Sequence, residues 1–178
     1  IQMLKYFTQD DQIRFAEISG DWNPIHVNPI ASRRTPYGQI VHGIHILAWA
    51  LDLLIAKNEI KPTRIKVAFL RPVNLYDELS TKEQMEGEEL VVFVENNSRT
   101  IVSIRLEVGI LKLKDKCTMP TKNSSRAPLE KTFDELMGEQ GVIEVWGKEK
   151  QLRKYFPNLV ECIGSGRTSE LLCLSRIV

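Results

Sequence analysis

A chain of 178 residues, 43% hydrophobic and 26% charged, is long and apolar enough for one good core and part of a second, which excludes a disordered tail. Its 24 basic and 23 acidic residues leave a net charge of +1, which excludes a broad electrostatic footprint for nucleic acid or an anionic membrane but allows a small local anion site. Cys117, Cys162 and Cys173 are odd in number and lack the close pairs of a structural zinc site, so they are expected to be reduced thiols of a cytoplasmic protein.

In chain order, Met3 to Phe7 predicts a short strand. Thr8 with Asp11 three residues later predicts a capping box and a helix over residues 9–18, with Ile13, Ala16 and Ile18 toward a core. The next stretch, Ser19-Gly20-Asp21-Trp22-Asn23-Pro24-Ile25-His26, is the most informative in the chain. Gly20 and the Asn23-Pro24 pair disfavour continuation of the helix, so Asp21 and His26 are expected on one bent, non-helical loop where their side chains converge. On a continuous helix, a five-residue spacing would separate them.

A short helical turn is predicted near Pro29 to Arg33, followed by an irregular stretch through Thr35-Pro36-Tyr37-Gly38. From Gly43 to about Asn58 nearly every residue is apolar, which predicts a helix buried on most sides. Its apolar run, Ile44 to Ala56, is interrupted by His45 and Asp52 and is too short to span a bilayer; Ile1 begins no cleavable signal pattern. Strands are predicted at Arg64 to Leu70, Glu78 to Met85, Leu90 to Glu95 and Arg99 to Leu113, with Asn96-Asn97-Ser98 as a hairpin turn. Lys114 to Pro128 reads as a linker, Thr132 with Glu135 as a helix start, and Glu149 to Phe156 as a charged helix ended by Pro157. The Gly-rich stretch from Ile163 to Gly166 leads into an apolar helix but lacks the Lys of a phosphate-binding P-loop.

A buried helix followed by antiparallel strands resembles the hotdog fold, an α+β architecture in which the sheet curls around a long central helix. The pattern small residue, Gly, Asp, any residue, Asn, Pro, aliphatic residue, His resembles the signature of the MaoC-like dehydratase, or (R)-specific enoyl-CoA hydratase, family, and Ser19 to His26 match its fixed positions. Ile40-Val41-His42-Gly43 at the mouth of the helix, and Val67 to Val73 with Asp77, agree with it. The resemblance implies a MaoC-like hotdog domain over residues 1–114. A linker over 115–128 and a C-terminal extension over 129–178 follow, the latter either a helical appendage or the start of a second hotdog repeat. All three histidines precede residue 46, so that part holds no second Asp-His pair.

Hydrating an α,β-unsaturated thioester needs a base for water, an acid for the α-carbon, and donors for the enolate oxygen. Asp21 suits the base, and His26, an imidazole that can both accept and donate a proton, suits binding of the same water and proton transfer. The backbone N–H of Gly43, at the positive end of the central helix, suits the oxyanion donor. Asn23, His42, Arg33, Arg34 and Tyr37 are the candidate substrate contacts, the last three for the phosphates of a coenzyme or a carrier phosphopantetheine.

Each residue also has a plainer reading. Asp21 and Asn23 are common turn residues, His42 is a structural residue at a helix entrance, and paired arginines on a loop are usually just solvated. His45 and Asp52 share a helix face and read as a solvated or interfacial stripe before a polar wall of an acyl channel; Trp22 and Trp49 read as packing aromatics.

The resemblance further implies a hydro-lyase that interconverts trans-2-enoyl and (R)-3-hydroxyacyl thioesters of coenzyme A or acyl carrier protein. It needs no metal, nucleotide or redox cofactor, and it pairs as a homodimer through its sheet. A hydroxyl side chain usual along the central helix of such enzymes is replaced here by Leu51 and its apolar neighbours. The alternatives are a hotdog thioesterase, which would release a free thiol, and a non-catalytic domain that binds an acyl thioester or carrier.

Overall fold

A computed structural model describes residues 4–58, 60–108 and 148–176. Helix α1 (Gln9–Ser19) begins with the expected reciprocal cap: the Asp11 N–H donates to Thr8 Oγ1 at 3.2 Å and the Thr8 N–H to Asp11 Oδ2 at 2.9 Å. It ends at Gly20, whose φ of 77° turns the chain sharply into Asp21. Phe15, Ala16 and Ile18 are buried, while Ile13, expected in the core, is only half-buried.

Two local expectations are corrected. Among residues 4–7 no strand forms; Lys5 makes a single antiparallel bridge with Leu79, exchanging two hydrogen bonds of 2.9 Å. The loop from Asp21 to His26 is not wholly non-helical, because Pro24–Val27 form one helical turn, α2. Proline is compatible with a first helical position, where its missing N–H costs nothing, and Asn23 Oδ1 caps the turn by accepting from the Ile25 N–H at 3.2 Å. A short 3₁₀ turn follows at Ala31–Arg34.

The central helix α3 spans Gly43–Asn58 as predicted, and eight of its residues are buried, among them Ala48, Leu51 and Leu54. The strands β1 (Pro62–Phe69), β2 (Ser80–Glu86), β3 (Glu89–Asn96) and β4 (Arg99–Val108) form one antiparallel sheet in the order β1-β4-β3-β2. In the β3–β4 hairpin, Asn97 and Ser98 both take positive φ, 48° and 63°, the two-residue turn whose twist suits its strands. Register places Leu90, Val92 and Val94 opposite Leu106, Ile104 and Val102. These six side chains form one face and share a single core with α3. The sheet curled on α3 is the α+β hotdog arrangement expected.

The described part of the C-terminal extension is helical: α4 (Glu149–Tyr155), α5 (Pro157–Ile163), α6 (Ser165–Cys173) and a 3₁₀ turn at Leu174–Arg176. Leu152, Phe156, Leu159, Val160 and Leu172 enter the same core as α3. Gly164, with φ of 85°, forms the joint between α5 and α6, and Gly166 is buried, so the Gly-rich stretch is a helix junction. The expected linker and the helix start at Thr132 lie outside the described residues, as does the end of the strand predicted to Leu113. Among the described residues no helix is long and apolar enough to cross a membrane.

Candidate functional site

Asp21 emerges from the Gly20 turn into a nearly closed environment, 5% exposed. Its Oδ1 accepts from the Asn23 N–H at 3.1 Å, and its Oδ2 accepts from the Ser175 hydroxyl at 2.6 Å. His26, on α2, is half-buried, and its Nδ1 lies 2.9 Å from the Ile40 carbonyl. A carbonyl accepts only, so Nδ1 carries the proton and Nε2 is left as the basic nitrogen. The ring of His26 stacks on that of His42, with centroids 4.0 Å apart and planes at 28°.

His42, the last residue before α3, is wholly buried. Gln12 Oε1 accepts from its backbone N–H at 3.1 Å and lies 2.8 Å from its Nδ1. Its Nε2 lies 3.1 Å from the Asp21 carbonyl and 3.7 Å from Asp21 Oδ2. Burial above all, then the charge of His26, pushes the His42 pKa down to about 4, against the pull of the Asp21 carboxylate. At neutral pH the ring is therefore uncharged, and whichever nitrogen holds its proton faces an oxygen acceptor.

Beside this cluster lies a cavity of about 290 Å³. Its wall is largely apolar, with Ile44, Phe69 and Val102, and its polar features include His26, Ser175, Arg71 and the backbone of Gly43. The N–H groups of His45 and Ile46 already bond to the His42 carbonyl, at 3.0 and 3.3 Å, which leaves Gly43 and Ile44 at the open positive end of α3. A β-carbon on Gly43 would come within 3.1 Å of the Phe69 ring, so glycine keeps this helix end close to the cavity wall. The site thus brings an imidazole, a hydroxyl bonded to a buried carboxylate and an amide donor to one apolar-walled space.

Asp21, His26, His42 and Gly43, all singled out in the sequence, come together here. The remaining candidates do not. Asn23 is occupied in capping α2, and Arg33, Arg34 and Tyr37 are exposed and absent from the cavity wall. His42 is sealed behind His26 and does not line the cavity. Of the solvated or interfacial stripe, the structure shows the interfacial arrangement: His45 stacks flat on Phe15 at 4.4 Å with Phe7 and Phe156 edge-on, while Asp52 faces α5. Burial lowers the His45 pKa well below the ordinary imidazole value, and the charges of His42 and Lys5 act in the same direction. Trp22, expected to pack, is 48% exposed, whereas Trp49 packs against the core edge-on to Phe7.

Two residues went unnoticed. Gln12 is a helix glutamine whose burial no local pattern announces, and Ser175 lies 154 positions from its partner Asp21. Arg71 lines the cavity too, but its guanidinium donates to the Thr100 carbonyl at 2.7 Å. Asp21, His26 and His42 each offer one ligand atom to a metal, all within 4.8 Å of one another. Asp21 Oδ2 and both nitrogens of His42 are already engaged in hydrogen-bond contacts, so the cluster as folded is a polar network more than a chelate.

A 3-hydroxybutyryl-CoA dehydratase of Methylorubrum extorquens is 45% identical over 44 residues, which is 24% of this chain and 28% of that protein. Among solved structures, the (R)-hydratase from A. caviae involved in PHA biosynthesis superposes with a TM-score of 0.53 at 22% identity, covering 60% of this chain and 89% of that one. R-hydratase PhaJ1 from Pseudomonas aeruginosa gives 0.50 at 22% identity, covering 61% and 77%. At such identities the likeness is one of fold. Residues 4–105 match the model of the MaoC like domain, more than half of the chain, and the protein belongs to that family.

Proposed function

We propose that the protein is a hydro-lyase that interconverts trans-2-enoyl and (R)-3-hydroxyacyl thioesters of coenzyme A or acyl carrier protein. The observation that carries this reading is the convergence of the Asp21 carboxylate, the free Nε2 of His26 and the Gly43 end of α3 beside one largely apolar cavity. The names of the dehydratase and the hydratases it resembles point the same way. In hydration, Asp21 takes a proton from water and the hydroxide oxygen bonds to the β-carbon. His26 orients that water, and the α-carbon then receives a proton. Between these steps the thioester oxygen carries negative charge, which the Gly43 N–H stabilises; one such donor typically contributes about 3–4 kcal/mol.

The near-complete burial of Asp21 favours one other reading, a non-catalytic domain that binds acyl thioesters or their carrier. Crotonyl-CoA distinguishes the two. The expected result is loss of the conjugated enoyl absorbance without release of thiol, lowered by about 10²–10⁴-fold in Asp21→Asn and in His26→Ala. Thiol release would move the assignment to a thioesterase. Wild-type protein that binds acyl-CoA but leaves the absorbance unchanged would establish the binding domain.

A further inference from the structure

Asp21 is absent from the wall of the cavity, while Ser175, whose hydroxyl bonds to it, is part of that wall. Asp21 Oδ1 is turned to the Asn23 amide, so its other oxygen meets the cavity through a residue 154 positions later. We infer that Ser175 is the hydroxyl through which Asp21 acts, so that the C-terminal extension completes the catalytic centre. The inference rests on the hydro-lyase reading above and deepens it.

Three observations support it. Ser175 is 8% exposed, so its hydroxyl needs a partner, and the 2.6 Å contact to a carboxylate is the short, charge-assisted kind. A hydroxyl that donates to Asp21 keeps its own oxygen as an acceptor, on the residue that borders the cavity. Finally, the 3₁₀ turn bearing Ser175 follows directly on α6, whose Leu172 is locked in the core, so the position is held by packing.

The chemistry balances as a relay. A cavity water gives a proton to Ser175 Oγ while the Ser175 proton passes to Asp21 Oδ2. The remaining hydroxide forms the bond to the β-carbon, and the π pair moves onto the thioester as an enolate. Asp21 Oδ2 then returns its proton to Ser175 Oγ as Ser175 gives the proton it took from water to the α-carbon, where the enolate pair forms the new C–H bond, so the net change is one added water, with Ser175 and Asp21 restored.

The test uses the full chain and crotonyl-CoA. Ser175→Ala is expected to lower kcat by about 10²-fold with KM little changed, and Ser175→Thr, which keeps the hydroxyl, to stay within about tenfold of wild type. In mixtures of light and heavy water the wild-type rate should vary as a curve, reporting two protons in flight, and that of Ser175→Ala as a straight line. A folded Ser175→Ala that hydrates as fast as wild type overturns the relay while leaving the hydro-lyase reading intact. A silent wild type overturns that reading and the relay with it. Denaturant unfolding of Asp21→Asn, Ser175→Ala and the double variant tests the contact independently: coupled effects support it, and strictly additive ones overturn it.

Discussion

Gly43 shows how much a single residue without a side chain can decide. It begins α3, so its amide has no carbonyl one turn earlier to bond to, and it forms part of the cavity wall. The Phe69 ring closes over the space a β-carbon would need, at 3.1 Å. In Gly43→Ala the ring, part of the cavity wall, must therefore shift by about a few tenths of an ångström. The expected outcome is a folded protein with kcat/KM for crotonyl-CoA lowered by about tenfold or more, because the displaced wall alters how the thioester is set against the Gly43 N–H, which alanine retains. Circular dichroism would confirm the fold, and unchanged kinetics would show that the position of Phe69 does not govern how substrate meets the Gly43 amide. Gln12 works at the same scale by a different means: one buried oxygen accepts from the His42 backbone N–H and lies 2.8 Å from Nδ1 of its ring, behind His26.

At the scale of elements, the junction of α3 with the extension is held by Asp52. Helix α5 has no side-chain cap of its own, and Phe156 precedes it. Asp52 Oδ1 accepts instead from the Leu159 N–H at 2.8 Å, and Oδ2 from Asn158 Nδ2 at 3.0 Å, so a residue in the middle of one helix caps another. The negative charge also lies at the positive end of α5. Asp52→Ala should lower stability by about 1–2 kcal/mol, read as a lower urea midpoint, and Asp52→Asn by less because it retains an acceptor. Since α5 leads through α6 to Ser175, the alanine variant should also lose hydratase activity ahead of global unfolding.

At the scale of the whole molecule, the buried histidines link stability to pH. The His42 pKa falls from 6.5 in the unfolded chain to about 4 in the folded one, because burial disfavours its charged form. Between those values the unfolded state binds more protons, so the contribution is fully present above pH 6.5 and is lost as pH falls toward 4. The shift corresponds to on the order of 3 kcal/mol, and His45, lowered in the same sense, adds to it. Urea unfolding from pH 7.5 to 4 should show this decline, with a shallower slope in His42→Gln. Equal slopes would contradict the assignment.

Much of this architecture is legible in the chain itself because it rests on local rules. The Thr8–Asp11 cap, the extent of α3, the alternation along β3 and β4 and the Asn97-Ser98 turn each follow from a few adjacent residues and the backbone conformations they allow. Asp21, His26 and Gly43 could likewise be singled out, because punctuation by Gly20 and Pro24 and the start of an apolar helix mark their places. What those residues touch is another matter. Trp22 lies in solvent, Arg33, Arg34 and Tyr37 are away from the cavity, and His45 is enclosed by Phe7, Phe15 and Phe156. Burial depends on which distant segment packs over a residue, and spacing along the chain carries no information about that. The sequence by itself determined the elements and the chemistry on offer; only the tertiary structure decided that Asp21 is closed off from solvent and meets Ser175, because a 2.6 Å contact across 154 residues is set by the packing of the extension on α3.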